Sequence, residues 1–425
     1  MKKPIDVVIV GAGSRGRLVY APFAKKRPDL MRVVGVAEPD PSRRGLLADD
    51  YGIPPEMCFT DAETFFSHPR MADAVVIATQ DRQHYGHAMA ALEKGYHILL
   101  EKPVSASPAE CQQIADTARE RGLHVVVCHV LRYTMFYQLV KFYLQSGMLG
   151  DIVSVQQTEN VGWWHQAHSF VRGNWRNSQQ TSPMILQKSC HDMDILHWLI
   201  GKKAVRISSF GSNMHFRPEC APPGAAMRCL DGCQARAGCP YDAEKIYIYS
   251  DYTSAWRNDF PQAALCDKVD PAALHEAIRT GPYGRCVYHC DNDVVDHQIV
   301  NIEFTGGTTA SFVMCGHTDD KVGREITVFG TLGELRADMG SNELTINVFG
   351  QPTRVVDVRR YTDDFSGHAG GDDKMMEEFA ALVSGEDVLH STTTGIDSSI
   401  HSHLMAMAAE KSRLQNGRVV EIDDV

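Results

Sequence analysis

The stretch VVIVGAGSRGRLVY, residues 7–20, decides the fold. A run of β-branched residues breaks into Gly11, Gly13 and Gly16, and the chain then resumes with helical spacing. A G-x-G-x-x-G pattern alone is weak, because clustered glycines mark turns of every kind. Its surroundings carry the argument. Residues 5–10 (IDVVIV) form a strand-length apolar run, and Arg15–Lys26 carries Leu18, Val19, Ala21 and Phe23 at helical spacing. The glycines therefore occupy a strand-to-helix turn, the context that a dinucleotide fingerprint requires. In such a turn Gly11 makes the bend, Gly13 lets a pyrophosphate approach the backbone, and Gly16 lets helix and strand pack closely. Ser14 and Arg15, inside the turn, join the cofactor-binding set.

A second apolar run, Arg32–Ala37 (RVVGVA), ends at Glu38. An acidic side chain there accepts hydrogen bonds from both ribose hydroxyls and repels a 2′-phosphate, which favours NAD over NADP. Arg43 and Arg44 lie close enough in sequence to serve a 2′-phosphate; the competing reading is solvated charge on the first turn of a helix. Further strand patterns at residues 74–78 (AVVIA), 97–100 (HILL) and 124–128 (HVVVC) are separated by helical segments such as HYGHAMAALEKG and SPAECQQIADTARERG. Strand and helix alternating at this spacing predict a doubly wound parallel sheet.

A chain of 425 residues exceeds one ordinary core, and 44% hydrophobic content suffices to fill two. The net charge of −11 argues against nucleic acid or an anionic membrane as partner and leaves small molecules. No apolar run reaches the length of a membrane span, and MKKPIDVVIV passes into a strand pattern without a cleavage site, so a cytoplasmic protein is expected. The twelve cysteines are then read as reduced thiols or metal ligands.

At GYHILLEKPVSASP, residues 95–108, the chain resembles the Gfo/Idh/MocA family of nicotinamide-dependent oxidoreductases, through the EKP tripeptide Glu101-Lys102-Pro103 following a G-x-G-x-x-G turn. The resemblance runs from the glycines to SHLMAMAAEKSRL, residues 402–414. It implies an α/β fold: a Rossmann domain over 1–129, then an α+β domain over 130–425 built on a large, mostly antiparallel sheet. It also implies that Lys102 acts on both nicotinamide ribose and substrate, and that Thr79, His84 and Glu101 line the cofactor cleft. The usual Pro-Asn after that threonine is here Gln80-Asp81. Chemistry supports a role for Lys102 independently. A lysine at the carboxyl end of a parallel strand points to the crevice where such sheets bind ligands, and its charge can polarise an oxygen or move a proton.

Beyond residue 130 the pattern alternates, in DIVSVQQTENV, HQIVNIEFTGGTTASFVM and GREITVFGTLGELRA, as antiparallel strands do. CHDMDILHWLIG, residues 190–201, resembles the family's G-x-H-x-x-D segment, with His191 and Asp194 in the matching places. Related cyclitol dehydrogenases carry an aspartate four residues before that histidine; here it is Gln187. His191 is the expected general base, and Lys188 is a candidate for the missing aspartate's role. Trp164, His168, Arg172, Asn174 and Trp175 mix aromatic faces with hydrogen-bonding groups in a way that suits a polyol, the alternative being a buried aromatic loop.

An insertion at about 215–285 holds Cys229, Cys233 and Cys239 in a Pro- and Gly-rich stretch. With Cys286 as fourth ligand they are a candidate structural zinc site; buried thiols or a disulfide are the alternatives. The expected activity is NAD-dependent hydride transfer from a secondary alcohol of a sugar, cyclitol or glycoside. The alternatives are an NAD-dependent glycoside hydrolase working through transient oxidation and elimination, and a non-enzymatic nucleotide sensor. The family resemblance also implies a homodimer or homotetramer.

Overall fold

The computed structural model describes residues 3–249, 260–267, 269–319, 323–386, 388 and 392–425. Residues 250–259 and 268 of the expected insertion lie outside the described residues. Two compact units are present: Met1–Tyr137 with Asp364–His403, and Gln138–Asp363 with Leu404–Val425.

The first unit is built on β1 (Ile5–Val10), β2 (Met31–Ala37), β3 (Cys58–Phe59), β4 (Ala74–Ile77), β5 (His97–Leu100) and β6 (Val125–Val127). They form one parallel sheet in the order β3-β2-β1-β4-β5-β6. β4 is a continuous apolar run and β1 one broken only by Asp6, because helices cover both faces of such a sheet, and their apolar side chains are almost wholly buried. The strand order reverses between β1 and β4, the place where ligands of doubly wound sheets bind. Residues 364–403 pack into this unit although the sequence reading set them in the second domain. The helix Gly371–Val383 buries Met375, Met376, Phe379 and Leu382 in the core shared with β1 and β2.

The second unit adds β7 (Ile152–Asn160), β8 (Ala204–Ser212), β9 (His297–Phe304), β10 (Thr309–Cys315), β11 (Arg324–Gly330), β12 (Gly333–Asp338), β13 (Glu343–Val348), β14 (Arg354–Asp357) and β15 (Val420–Glu421). Their order is β14-β13-β12-β11-β7-β10-β9-β8-β15, antiparallel except for the β7–β10 pair. Alternation sets the faces: Val300, Ile302 and Phe304 of β9 point inward with Ala310, Phe312 and Met314 of β10. The helix Cys190–Ile200, buried along almost its whole length, packs on β7. Among the described residues no helix is long and apolar enough to cross a membrane.

Candidate active site

In the first unit Gly11, Glu38, Thr79 and Glu101–Lys102 follow β1, β2, β4 and β5, so all lie at the carboxyl edge of four adjacent strands. Gly11 has φ +93°, and a Cβ there would lie 2.7 Å from the carbonyl oxygen of Ala78. A Cβ on Gly16 would come within 2.0 Å of the Gly11 oxygen, so the helical turn Ser14–Tyr20 packs on the strand only with glycine there. Gly13 differs: a Cβ on it would meet no protein atom within 4 Å. That open side is what a pyrophosphate needs to reach the backbone, and the residues present fit the cofactor. Glu38, 8% exposed, stands against this turn. Its Oε2 accepts the Ala12 N–H at 2.6 Å and its Oε1 that of Asp40 at 3.0 Å. Arg43 and Arg44 lie in the first turn of the helix Pro41–Tyr51, where Arg44 Nη1 donates to the Glu38 carbonyl at 2.6 Å.

Arg15 ties the glycine turn to the lysine loop. Its Nε donates to Glu101 Oε1 at 2.6 Å, and its Nη2 donates to Asp372 Oδ1 at 2.7 Å and to Tyr20. The Tyr20 hydroxyl donates to the same Glu101 oxygen. Burial pushes the Glu101 carboxyl up, but the charges of Arg15 and Lys102 outweigh it and bring the pKa down to about 2. Beneath the loop, the His84 ring bridges the carbonyls of Pro103 at 2.7 Å and Thr79 at 3.1 Å, and Thr79 Oγ1 lies 3.1 Å from His87 Nδ1. The Val104 N–H donates to His403 Nε2 at 3.0 Å. Thus His84 and Glu101 hold the backbone that presents Lys102, which is itself partly exposed.

In the second unit His191 opens the helix Cys190–Ile200 and is buried, with Lys188 just before that helix. Lys188 Nζ pairs with Glu159 Oε1 of β7 at 3.0 Å, and Arg324 of β11 contacts the other Glu159 oxygen. Arg324 also grips Asp192 with Nε at 2.8 Å and Nη2 at 3.1 Å, and Gln157 Nε2 donates to Asp192 at 2.7 Å. Burial raises the pKa of Glu159, but Arg324 and Lys188 more than offset that and leave it lowered. Asp192 moves the other way, up to about 6, through burial and the nearby Glu159 charge, against the pull of Arg324. Gln187, in the aspartate's place, donates from Nε2 to the Trp175 carbonyl at 2.8 Å.

Two family models match: an oxidoreductase family with NAD-binding Rossmann fold over residues 5–129, and its C-terminal alpha/beta domain over residues 141–422. The chain belongs to the Gfo/Idh/MocA oxidoreductase family. This is a family of NAD(P)-dependent dehydrogenases acting on CH–OH groups. A protein named as an oxidoreductase in Bacillus subtilis is 21% identical, covering 90% of each chain. D-glucoside 3-dehydrogenase of Escherichia coli is 31% identical over 48% of this chain, which spans 56% of that relative's length. The fold matches an inositol dehydrogenase homologue of Azotobacter vinelandii, solved with NADH and myo-inositol, at TM-score 0.67 and 16% identity, covering 99% of this chain and 98% of that one.

Within this Gfo/Idh/MocA chain the aromatic and basic segment divides in two. Trp164, His168 and Arg172 are buried in the core that anchors the insertion. His168 stacks on Tyr283 with ring centroids 4.7 Å apart and pairs with the Tyr247 hydroxyl at 3.0 Å; burial lowers its pKa to about 3. Arg172 donates to the carbonyls of Arg285 at 2.7 Å and Tyr241 at 2.6 Å. His168 Nδ1 and the Nε and Nη2 groups of Arg172 are thus engaged by protein partners, as in the buried-loop alternative, whereas among the described residues Arg172 Nη1 is buried without a hydrogen-bond partner. Asn174 is exposed and Trp175 half-buried.

The zinc expectation is not supported. Cys229, Cys233, Cys239 and Cys286 do line one cavity, of about 20 Å³, but among the described residues no three His, Cys, Asp or Glu side chains gather so as to hold a metal. The cationic Arg172 shares that cavity and donates to Cys229 Sγ at 3.5 Å. Burial pushes the Cys286 thiol up to about 11 and raises that of Cys239. Spacing brought the thiols to one cavity; packing fills it with a guanidinium and thiols.

Sequence reasoning missed Glu159, Arg324 and Asp372. For the first a signal existed: Val155, Gln157 and Glu159 share the inward face of β7, and the series turns polar toward its carboxyl end. Asp372 has no local signal, since it meets Arg15 from far along the chain.

Proposed function

We propose that the protein oxidises a secondary alcohol of a sugar or cyclitol, with NAD preferred over NADP. The observation that carries the reading is the carboxyl edge of the parallel sheet, where the open Gly13, the buried Glu38 and the presented Lys102 follow neighbouring strands. NAD, when bound, supplies the hydride acceptor. Glu38 accepts the ribose hydroxyls, the backbone at Gly13 and Ser14 faces the pyrophosphate, and Lys102 donates to the oxygen of the reacting carbon. In the second unit His191 is the candidate base, because an imidazole's ordinary pKa suits proton transfer near neutrality. Asn174 and Trp175 contact the polyol. The dehydrogenase names of the relatives support the substrate class. A homodimer or homotetramer belongs to the same reading. Phe210, Ile299 and Val313 form an exposed apolar row across β8, β9 and β10 that a second copy would cover.

The test is a panel of free sugars, inositols and aryl glycosides, following NADH absorbance and aglycone release together. Stoichiometric NADH with a sugar or cyclitol, and little aglycone, is expected. Aglycone release without NADH accumulation would instead establish the hydrolase, and silence in both channels would leave the sensor reading standing.

A further inference from the structure

Gln187 stands where related cyclitol dehydrogenases carry an aspartate, which leaves a chemical question: which group works beside His191? Gln187 cannot take a proton, and its amide is held on the Trp175 carbonyl. Lys188 is the neighbouring ionisable group, and its surroundings define what it can do. Glu159, Arg324 and Asp192 have side chains that are 4%, 10% and 0% exposed, whereas Lys188 is 20% exposed. Lys188 is therefore the most exposed member of the ionic network. Arg324 and Glu159 are direct cross-strand neighbours on β11 and β7, so the carboxylate that holds Lys188 is fixed by sheet register. Among the described residues the ammonium has Glu159 as its partner, which occupies one of three N–H groups. The others remain for a ligand.

A lysine acting as base must first give up its proton. Here that would leave a buried carboxylate with one cation fewer, a costly arrangement. Resting on the oxidoreductase reading above, we propose that Glu159 is a positioning residue that fixes Lys188 as a hydrogen-bond donor to a substrate oxygen. His191 is then the proton acceptor beside it. The relatives' carboxylate–histidine pair becomes an ammonium–histidine pair with the charge of one member reversed. Alcohol oxidation balances without a second base: the hydroxyl proton goes to His191, the hydride to NAD, and Lys188 returns unchanged.

The experiment uses the full chain with NAD and four variants: Glu159→Gln, Lys188→Met, Lys188→Arg and the double Glu159→Gln/Lys188→Met. Lys188→Met should lower kcat by about 100-fold and Glu159→Gln by about 10-fold, with NAD affinity unchanged. The double variant should be no slower than Lys188→Met, since positioning has no value without the lysine. Lys188→Arg, which keeps the cation and its donors, should stay within about 10-fold of wild type. Independently of activity, the NMR resonance of reductively ¹³C-methylated Lys188, assigned by its loss in Lys188→Met, should move in Glu159→Gln. An unmoved resonance, a wild-type kcat in Glu159→Gln, or losses that multiply in the double variant would overturn the proposal. Should Glu159→Gln not fold, Lys188→Arg against Lys188→Met decides, because equal losses in both would exclude a donor role. A wild-type enzyme that reduces no NAD with any polyol refutes the reaction reading, while the resonance still decides the Glu159–Lys188 coupling.

Discussion

Replacing Glu38 by glutamine tests the cofactor assignment with little change in shape. The carboxylate stands at the glycine turn, held by the N–H groups of Ala12 and Asp40. An NADP 2′-phosphate would bring a charge of about −1.5 to −2 against it. Two like charges 4 Å apart cost about 1 kcal/mol in bulk water and about 4 kcal/mol at the effective dielectric of a protein surface. Discrimination of at least about 1.4 kcal/mol, or tenfold in Kd, is expected for the wild type. Glu38→Gln keeps an acceptor for the Ala12 N–H but removes the charge, so the preference should shrink by about tenfold, mainly through tighter NADP binding. Calorimetric titration of both proteins with both cofactors measures this. Equal binding of NAD and NADP by the wild type, or an undiminished preference in Glu38→Gln, would refute the argument and turn attention to Arg44.

Lys102→Ala and His191→Ala should each lower kcat by about 100-fold or more with NAD still bound, because donor and base act mainly in the transition state; near-normal turnover would remove that residue from the mechanism. Arg172→Met should instead cost stability, about 2–4 kcal/mol, by stranding the buried carbonyls of Arg285 and Tyr241, and lower the urea midpoint while leaving KM within about twofold. A KM effect without a stability loss would return Arg172 to the substrate site. Glu101, with an ordinary carboxyl pKa of 4.5 and a folded value of about 2, contributes stability that is full above pH 4.5 and is lost as pH falls toward 2. That contribution is on the order of 3 kcal/mol. The acid limb of the unfolding curve should flatten over this window in Glu101→Gln, and an unchanged limb would show that the carboxyl is not held by Arg15.

The features legible in the sequence are those that neighbours along the chain determine. Gly11 and Gly16 are readable because a turn between a buried strand and its helix excludes a Cβ at both, and Glu38 because it ends the next strand. The alternation of β9 and β10 is readable because one face of each strand is buried. The tertiary structure decided what depends on partners distant in sequence. Arg15 is committed to Glu101 and Asp372, and Lys188 is paired with a carboxylate on β7. Trp164, His168 and Arg172 belong to a core whose other half arrives with the insertion. The cysteines show the limit most directly: their spacing is compatible with a metal site, but only packing determines that Arg172 shares their cavity and that Cys286 is buried and Cys239 half-buried in it. Periodicity and turn chemistry are local quantities; desolvation and ion pairing depend on which groups the fold brings together.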